Sequence, residues 1–186
     1  MSSPRGPAAA KRFVVTFRDY ELKTRLATKL VSAYGRWLSG FRTFELRSGG
    51  RREGFEIEAL GGGRAVLASS SLLSPVAFNK YGVDLAALEE TALRALESAG
   101  GGKVLLFDEL GPMAMLSERF SARAVELLFS ERPCLVFCRK GASVFDEAFS
   151  KMSDTVIIEL EPGSWAEVVA AAQTWLDRLV EGMEKI

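Results

Sequence analysis

The chain has 186 residues, 48% of them hydrophobic and 26% charged, a balance typical of a globular domain, and a chain this long buries roughly 70% of its unfolded surface without help from disulfides or a metal. It contains no histidine, which excludes a Ser-His-Asp triad, a Cys-His pair and His-ligated zinc. The zero net charge conceals +9 over residues 1–52 (12 Lys/Arg against 3 Asp/Glu) and −9 over the remainder, which is the pattern of two complementary surfaces or of a face for a polyanion.

Residues 1–10 read as a disordered tail, with small residues but no apolar segment after the charge that would make a signal peptide. Residues 11–186 read as a single domain. No apolar run approaches the ~18 residues of a membrane span. Phe13-Val-Val-Thr16 is a short, continuous β-forming run, the pattern of a strand buried on both faces. Leu22, Leu26, Leu30 and Tyr34 then repeat at helical spacing.

Residues 41–69 break this rhythm. Phe41–Leu46 and Gly54–Ala59 alternate, turning at Ser48-Gly-Gly50, and Gly61-Gly-Gly63 leads into Arg64–Ala68. This predicts an inserted antiparallel meander. Asp84 is placed to cap a helix carrying Leu85, Leu88, Leu93 and Leu96, which ends at Gly100-Gly-Gly102. Lys103–Phe107, Cys134–Cys138 and Thr155–Ile158 repeat the buried-strand pattern. Cys134 and Cys138 share one face of their strand, too far apart to bridge along it, and as buried thiols they fit a reducing cytoplasm. Ser117 is placed to cap a helix with Phe120, Val125 and Leu128. Ser164-Trp-Ala-Glu167 has the form of a capping box opening a last helix. Strands alternating with helices predict an α/β fold with a mostly parallel sheet.

The chemistry concentrates at Val104-Leu-Leu-Phe-Asp108-Glu109. An apolar strand ending in two carboxylates has the form of a Walker B element, with Asp108 at the C-terminal sheet edge where α/β proteins bind ligands. In such a site the Asp holds Mg²⁺ and the Glu polarises a water. Its partner is a phosphate loop after the first strand, Gly-x-x-x-x-Gly-Lys-Ser/Thr. Lys23 and Thr24 stand in that register, but Phe17 and Leu22 fill both glycine positions.

Asn79-Lys-Tyr-Gly-Val-Asp84, Asp108-Glu-Leu-Gly-Pro-Met113 and Ser117-Glu-Arg-Phe120 resemble the small P-loop nucleoside-triphosphatases of the cancer-related nucleoside-triphosphatase family, from about Phe13 to the last helix. The resemblance implies a RecA-like P-loop fold and Mg²⁺-dependent hydrolysis of ATP or GTP. Lys23 would bind phosphate, Thr24 and Asp108 would hold Mg²⁺, and Glu109 would be catalytic. The departure at Phe17, Asp19, Tyr20 and Leu22 points the other way. A phosphate nest requires positive φ and open space, and Asp19 and Glu21 put carboxylates where a helix N-terminus would attract phosphate. The expectation is a degenerate loop with weak or no nucleotide binding, a binding or scaffold role, and no identified protein partner. A nucleic-acid partner would use Arg12, Arg18, Lys23, Arg25, Lys29, Arg36, Arg42, Arg47, Arg51 and Arg52. Phe41 and Phe44 fall on opposite strand faces, so nucleic acid is not the expected partner.

Overall fold

The structure, a computed structural model, describes residues 10–142 and 145–185. Of the tail read over residues 1–10, all but Ala10 lies outside the described residues. Ala10 itself is buried and belongs to the packed domain, its carbonyl accepting from Trp175 Nε1 at 2.8 Å and from Arg178 Nη2 at 3.0 Å.

The strands are β1 (Arg12–Phe17), β2 (Leu38–Ser48), β3 (Arg51–Ala59), β4 (Arg64–Ser69), β5 (Ala77–Phe78), β6 (Tyr81–Val83), β7 (Val104–Asp108), β8 (Cys134–Arg139) and β9 (Thr155–Leu160). Among the described residues they form one sheet in the order β5-β6-β4-β3-β2-β7-β8-β1-β9. From β2 to β9 the neighbours are parallel; from β2 out to β5 they are antiparallel. The meander is therefore no separate insert. Its first strand is a core strand whose start, Leu38–Phe41, pairs in parallel with Val104–Phe107 before the rest turns to β3.

Gly40 makes that change of partner possible. Its φ is +131°, and a Cβ there would stand 2.1 Å from the carbonyl oxygen of Leu106. Only glycine combines that backbone angle with that approach.

The helices are α1 (Tyr20–Tyr34), α2 (Leu85–Leu88), α3 (Arg94–Glu97), α4 (Glu118–Leu128), α5 (Asp146–Lys151) and α6 (Trp165–Met183), with a π turn over Glu89–Leu93 joining α2 to α3. The continuous apolar runs serve two cores at once. Val14, Leu105, Phe107 and Val136 face Leu88, Leu96, Phe120 and Phe149, while Phe13, Val15, Leu106 and Phe137 face Leu26, Leu30, Val168 and Trp175. This gives three layers, with helices on both faces of the sheet. Burying each such side chain contributes roughly 1.5–3 kcal/mol. Cys134 and Cys138 face the same core, as period two predicts.

Asp84 caps α2 through the Ala87 amide and Ser117 caps α4 through the Phe120 amide. The expected box at Ser164 forms one turn earlier. Glu161 and Ser164 cap each other around Pro162, and Ser164 makes no side-chain cap to α6. Pro162 supplies a preset φ for the first turn, and the observed cap, Glu161, stands three residues ahead of the predicted one. The Asn79-Lys-Tyr-Gly-Val-Asp84 motif acquires a physical role as well. Asn79 takes a left-handed turn conformation, φ +54°, between β5 and β6, and β6 delivers the chain to the Asp84 cap.

Candidate functional site

Only Arg18 and Asp19 separate β1 from α1, so residues 20–22 are helix rather than loop. Asp19 Oδ1 accepts from the Glu21 amide at 2.8 Å and the Leu22 amide at 3.1 Å, and the Asp19 carbonyl accepts from the Lys23 amide at 3.1 Å. Phe17 is fully buried, and Leu22 is half-buried against the core shared with α6. The first turn of α1 thus satisfies its amides internally, as an N-cap should.

That turn carries Lys23 inward. Its Nζ lies 2.6 Å from Asp108 Oδ1 and donates to the Thr43 carbonyl at 2.7 Å. Both charged side chains are sealed, at 0% and 1% exposure. Arg42 Nε stands 3.9 Å from Asp108 Oδ2, and Thr43 Oγ1 donates to the Asp108 carbonyl at 2.5 Å. Burial pushes the Asp108 carboxyl up from its ordinary range, and the Lys23 ammonium and Arg42 guanidinium pull it back.

Glu109 follows Asp108 and lies beside the Tyr20 hydroxyl. Burial is the main force raising the Glu109 carboxyl, with Tyr20 and Lys23 opposing it. Burial and the neighbouring Glu109 likewise push the Tyr20 phenol up. Gly111 gives this carboxylate its room, because a Cβ there would stand 2.8 Å from Glu109 Oε1. The glycine of the Asp-Glu-Leu-Gly run therefore has a local steric reason.

The fold brings Lys23, Asp108 and Glu109 together. Thr24 is half-buried on α1, and among the described residues no hydrogen bond joins its hydroxyl to Asp108; its carbonyl accepts from Arg42 at 3.5 Å. A Mg²⁺–triphosphate requires exposed backbone donors, a free ammonium and a carboxylate open to the metal. Here the amides of residues 21–23 are bonded to Asp19, and Lys23 and Asp108 are bonded to each other. As arranged, these residues do not fit that group.

Sequence reasoning named Tyr20 only as a departure from the phosphate loop and missed Thr43 as a member of the site. It also read Arg12 and Arg42 as belonging to a basic surface. Both are buried: Arg12 pairs with Asp154 at 2.7 Å and bonds the carbonyls of Leu128 and Ser130, and Arg42 donates to Thr28 Oγ1 at 2.6 Å.

The parallel order β2-β7-β8-β1-β9, with one strand between the first strand and the strand ending in Asp108-Glu109, defines an α/β protein of the P-loop NTPase, RecA-like class. The family described as NTPase matches residues 12–171, and the chain belongs to it. It is 36% identical over 150 residues to the nucleoside-triphosphatase THEP1 of Thermotoga sp. (strain RQ2), spanning 80% of this chain and 86% of that protein. The crystal structure of THEP1 from Aquifex aeolicus superimposes with a TM-score of 0.77 at 25% identity, over 89% of this chain and 99% of the other. The solution structure of a human cancer-related nucleoside triphosphatase gives 0.62 at 27% identity, over 87% and 94%.

Proposed function

We propose that this chain is a nucleoside-triphosphatase family protein whose phosphate loop is degenerate, which binds Mg²⁺–nucleotide weakly or not at all, and which acts as a binding or scaffold module in the cytoplasm. One observation carries this reading: the sealed Lys23–Asp108 pair beneath a two-residue turn capped by Asp19. To bind phosphate there, a ligand would have to displace Asp19 from two amides and pull apart a pair of buried charges, and breaking such a pair costs about 3–5 kcal/mol. Buried Cys134 and Cys138 support the cytoplasmic setting. Calorimetry with Mg-ATP and Mg-GTP tests the reading. The expected result is no dissociation constant below about 100 μM, and tighter binding overturns it.

The second reading is an active Mg²⁺-dependent nucleoside-triphosphatase, and two observations favour it. The relatives are named for that activity, and Lys23, Thr24, Asp108 and Glu109 all retain the expected residue types. Phosphate release that Glu109→Gln abolishes would establish it. A nucleic-acid partner is disfavoured because Arg12, Lys23 and Arg42, all within the basic segment, are internal. Binding to RNA or DNA that weakens steeply with salt would revive that alternative.

A further inference from the structure

Beside the Lys23–Asp108 pair, between β3, β6 and the loop after β7, lies a cavity of about 180 Å³. A cavity of about 150 Å³ holds one benzene ring, so this one has room for a single small ring system. Its walls are Tyr20, Phe41, Phe55, Phe78, Tyr81 and Met113. Tyr20, Phe55 and Tyr81 form a run of ring contacts, with centroids 5.8 Å and 5.6 Å apart.

Two polar features stand out against these apolar walls. Glu109 lines the cavity, and its Oε2 is inaccessible to solvent and has no hydrogen-bond partner among the described residues. A buried acceptor in that condition costs about 1–3 kcal/mol until a donor reaches it. On the solvent side, exposed Arg139 also lines the cavity, and its positive charge acts on Glu109.

The aromatic faces look suited to an organic cation, but the protein's own cations already occupy them. Lys23 Nζ lies 5.4 Å from the Tyr20 centroid, Arg52 Cζ lies 5.3 Å from that of Phe55, and Lys80 Nζ lies 5.3 Å from that of Tyr81. A neutral flat ring with a donor at its inner end would complement these walls and Glu109. A negative charge would complement Arg139 at the mouth.

We infer that this cavity binds a flat aromatic N–H heterocycle carrying an anionic substituent, the ring between Tyr20, Phe55 and Tyr81, the N–H donating to Glu109 Oε2 and the anion paired with Arg139. The inference is independent of nucleotide binding, because it calls for neither Mg²⁺ nor a triphosphate.

Three related probes isolate its three elements: indole-3-acetate, 1-methylindole-3-acetate and tryptamine, titrated by calorimetry into the full chain in EDTA without nucleotide. Indole-3-acetate is expected to bind saturably. Methylating the ring nitrogen should weaken binding at least about 10-fold, the scale of one hydrogen bond to a charged group, and reversing the side-chain charge in tryptamine should weaken it about as much. In Glu109→Leu the indole and its N-methyl analogue should bind equally, and in Arg139→Gln the preference for acetate over amine should fall about 10-fold. No saturable binding of indole-3-acetate up to about 1 mM overturns the inference. So does affinity that N-methylation leaves within about 2-fold. Because the comparison among probes is made on the unaltered protein, a variant that fails to fold does not remove the test.

Discussion

Lys23 Nζ stands 2.6 Å from Asp108 Oδ1, across 85 residues of sequence, and neither side chain is more than 1% exposed. Each member neutralises a charge that the other would leave buried alone. The net worth of such a pair is small, but removing one partner is costly.

Lys23→Met should therefore destabilise the protein by about 3–5 kcal/mol. The double variant Lys23→Met/Asp108→Leu should recover most of that loss, because no buried carboxylate then lacks its ammonium. Urea denaturation of the two single variants and the double closes the cycle. Additive losses would mean that the pair is not a unit.

Asp19 holds two amides at the start of α1. Asp19→Ala should cost about 1 kcal/mol, and Asp19→Asn, which keeps the accepting oxygen, much less. Thermal denaturation compares them. Equal losses for the two variants would show that the cap contributes nothing.

Glu109 carries a stability cost that depends on pH. Its folded carboxyl is raised above the ordinary 4.5 by burial. The folded state therefore gives up this proton at a higher pH than the unfolded chain does, and stability falls as pH rises above 4.5. Glu109→Gln should be more stable than the parent near pH 8, and this gain should fade as the pH falls below the ordinary carboxyl range. Denaturation midpoints from pH 4 to 8 give the trend. A gain that grows on acidification would reverse the assigned sign.

Gly40 joins the parallel and antiparallel halves of the sheet. Gly40→Val should cost at least about 3 kcal/mol, combining a positive φ with a clash against the Leu106 carbonyl. Gly61→Ala, at a turn where a Cβ meets nothing within 4 Å, is the control. Similar denaturation midpoints for the two variants would count against this role for Gly40.

The core strands were legible because Phe13–Thr16, Lys103–Phe107 and Cys134–Cys138 are apolar without alternation, and each proves to face two cores. Asp19 as a cap was legible from its position before a helical stripe. The Lys23–Asp108 pair was not, since it depends on β7 and α1 meeting in space, and nothing local marks Thr43 as the carbonyl that completes it. Arg12 and Arg42 were misread for a related reason. A basic residue in a sequence looks the same whether it meets water or backbone carbonyls at the end of α4. β5 and β6, of two and three residues, are too short to show any period. The meander's alternation was visible, but its union with the core sheet rests on Gly40, a glycine with no turn around it.

The cap at Asp19 also bears on how the fold responds to its surroundings. A helix N-terminus carries a partial positive charge, and a solute that binds only the folded state raises its stability with concentration. In α1 a carboxylate from the chain itself already occupies that position. We therefore expect dissolved phosphate to leave the folding equilibrium unmoved through this helix, because Asp19 already accepts from its first amides.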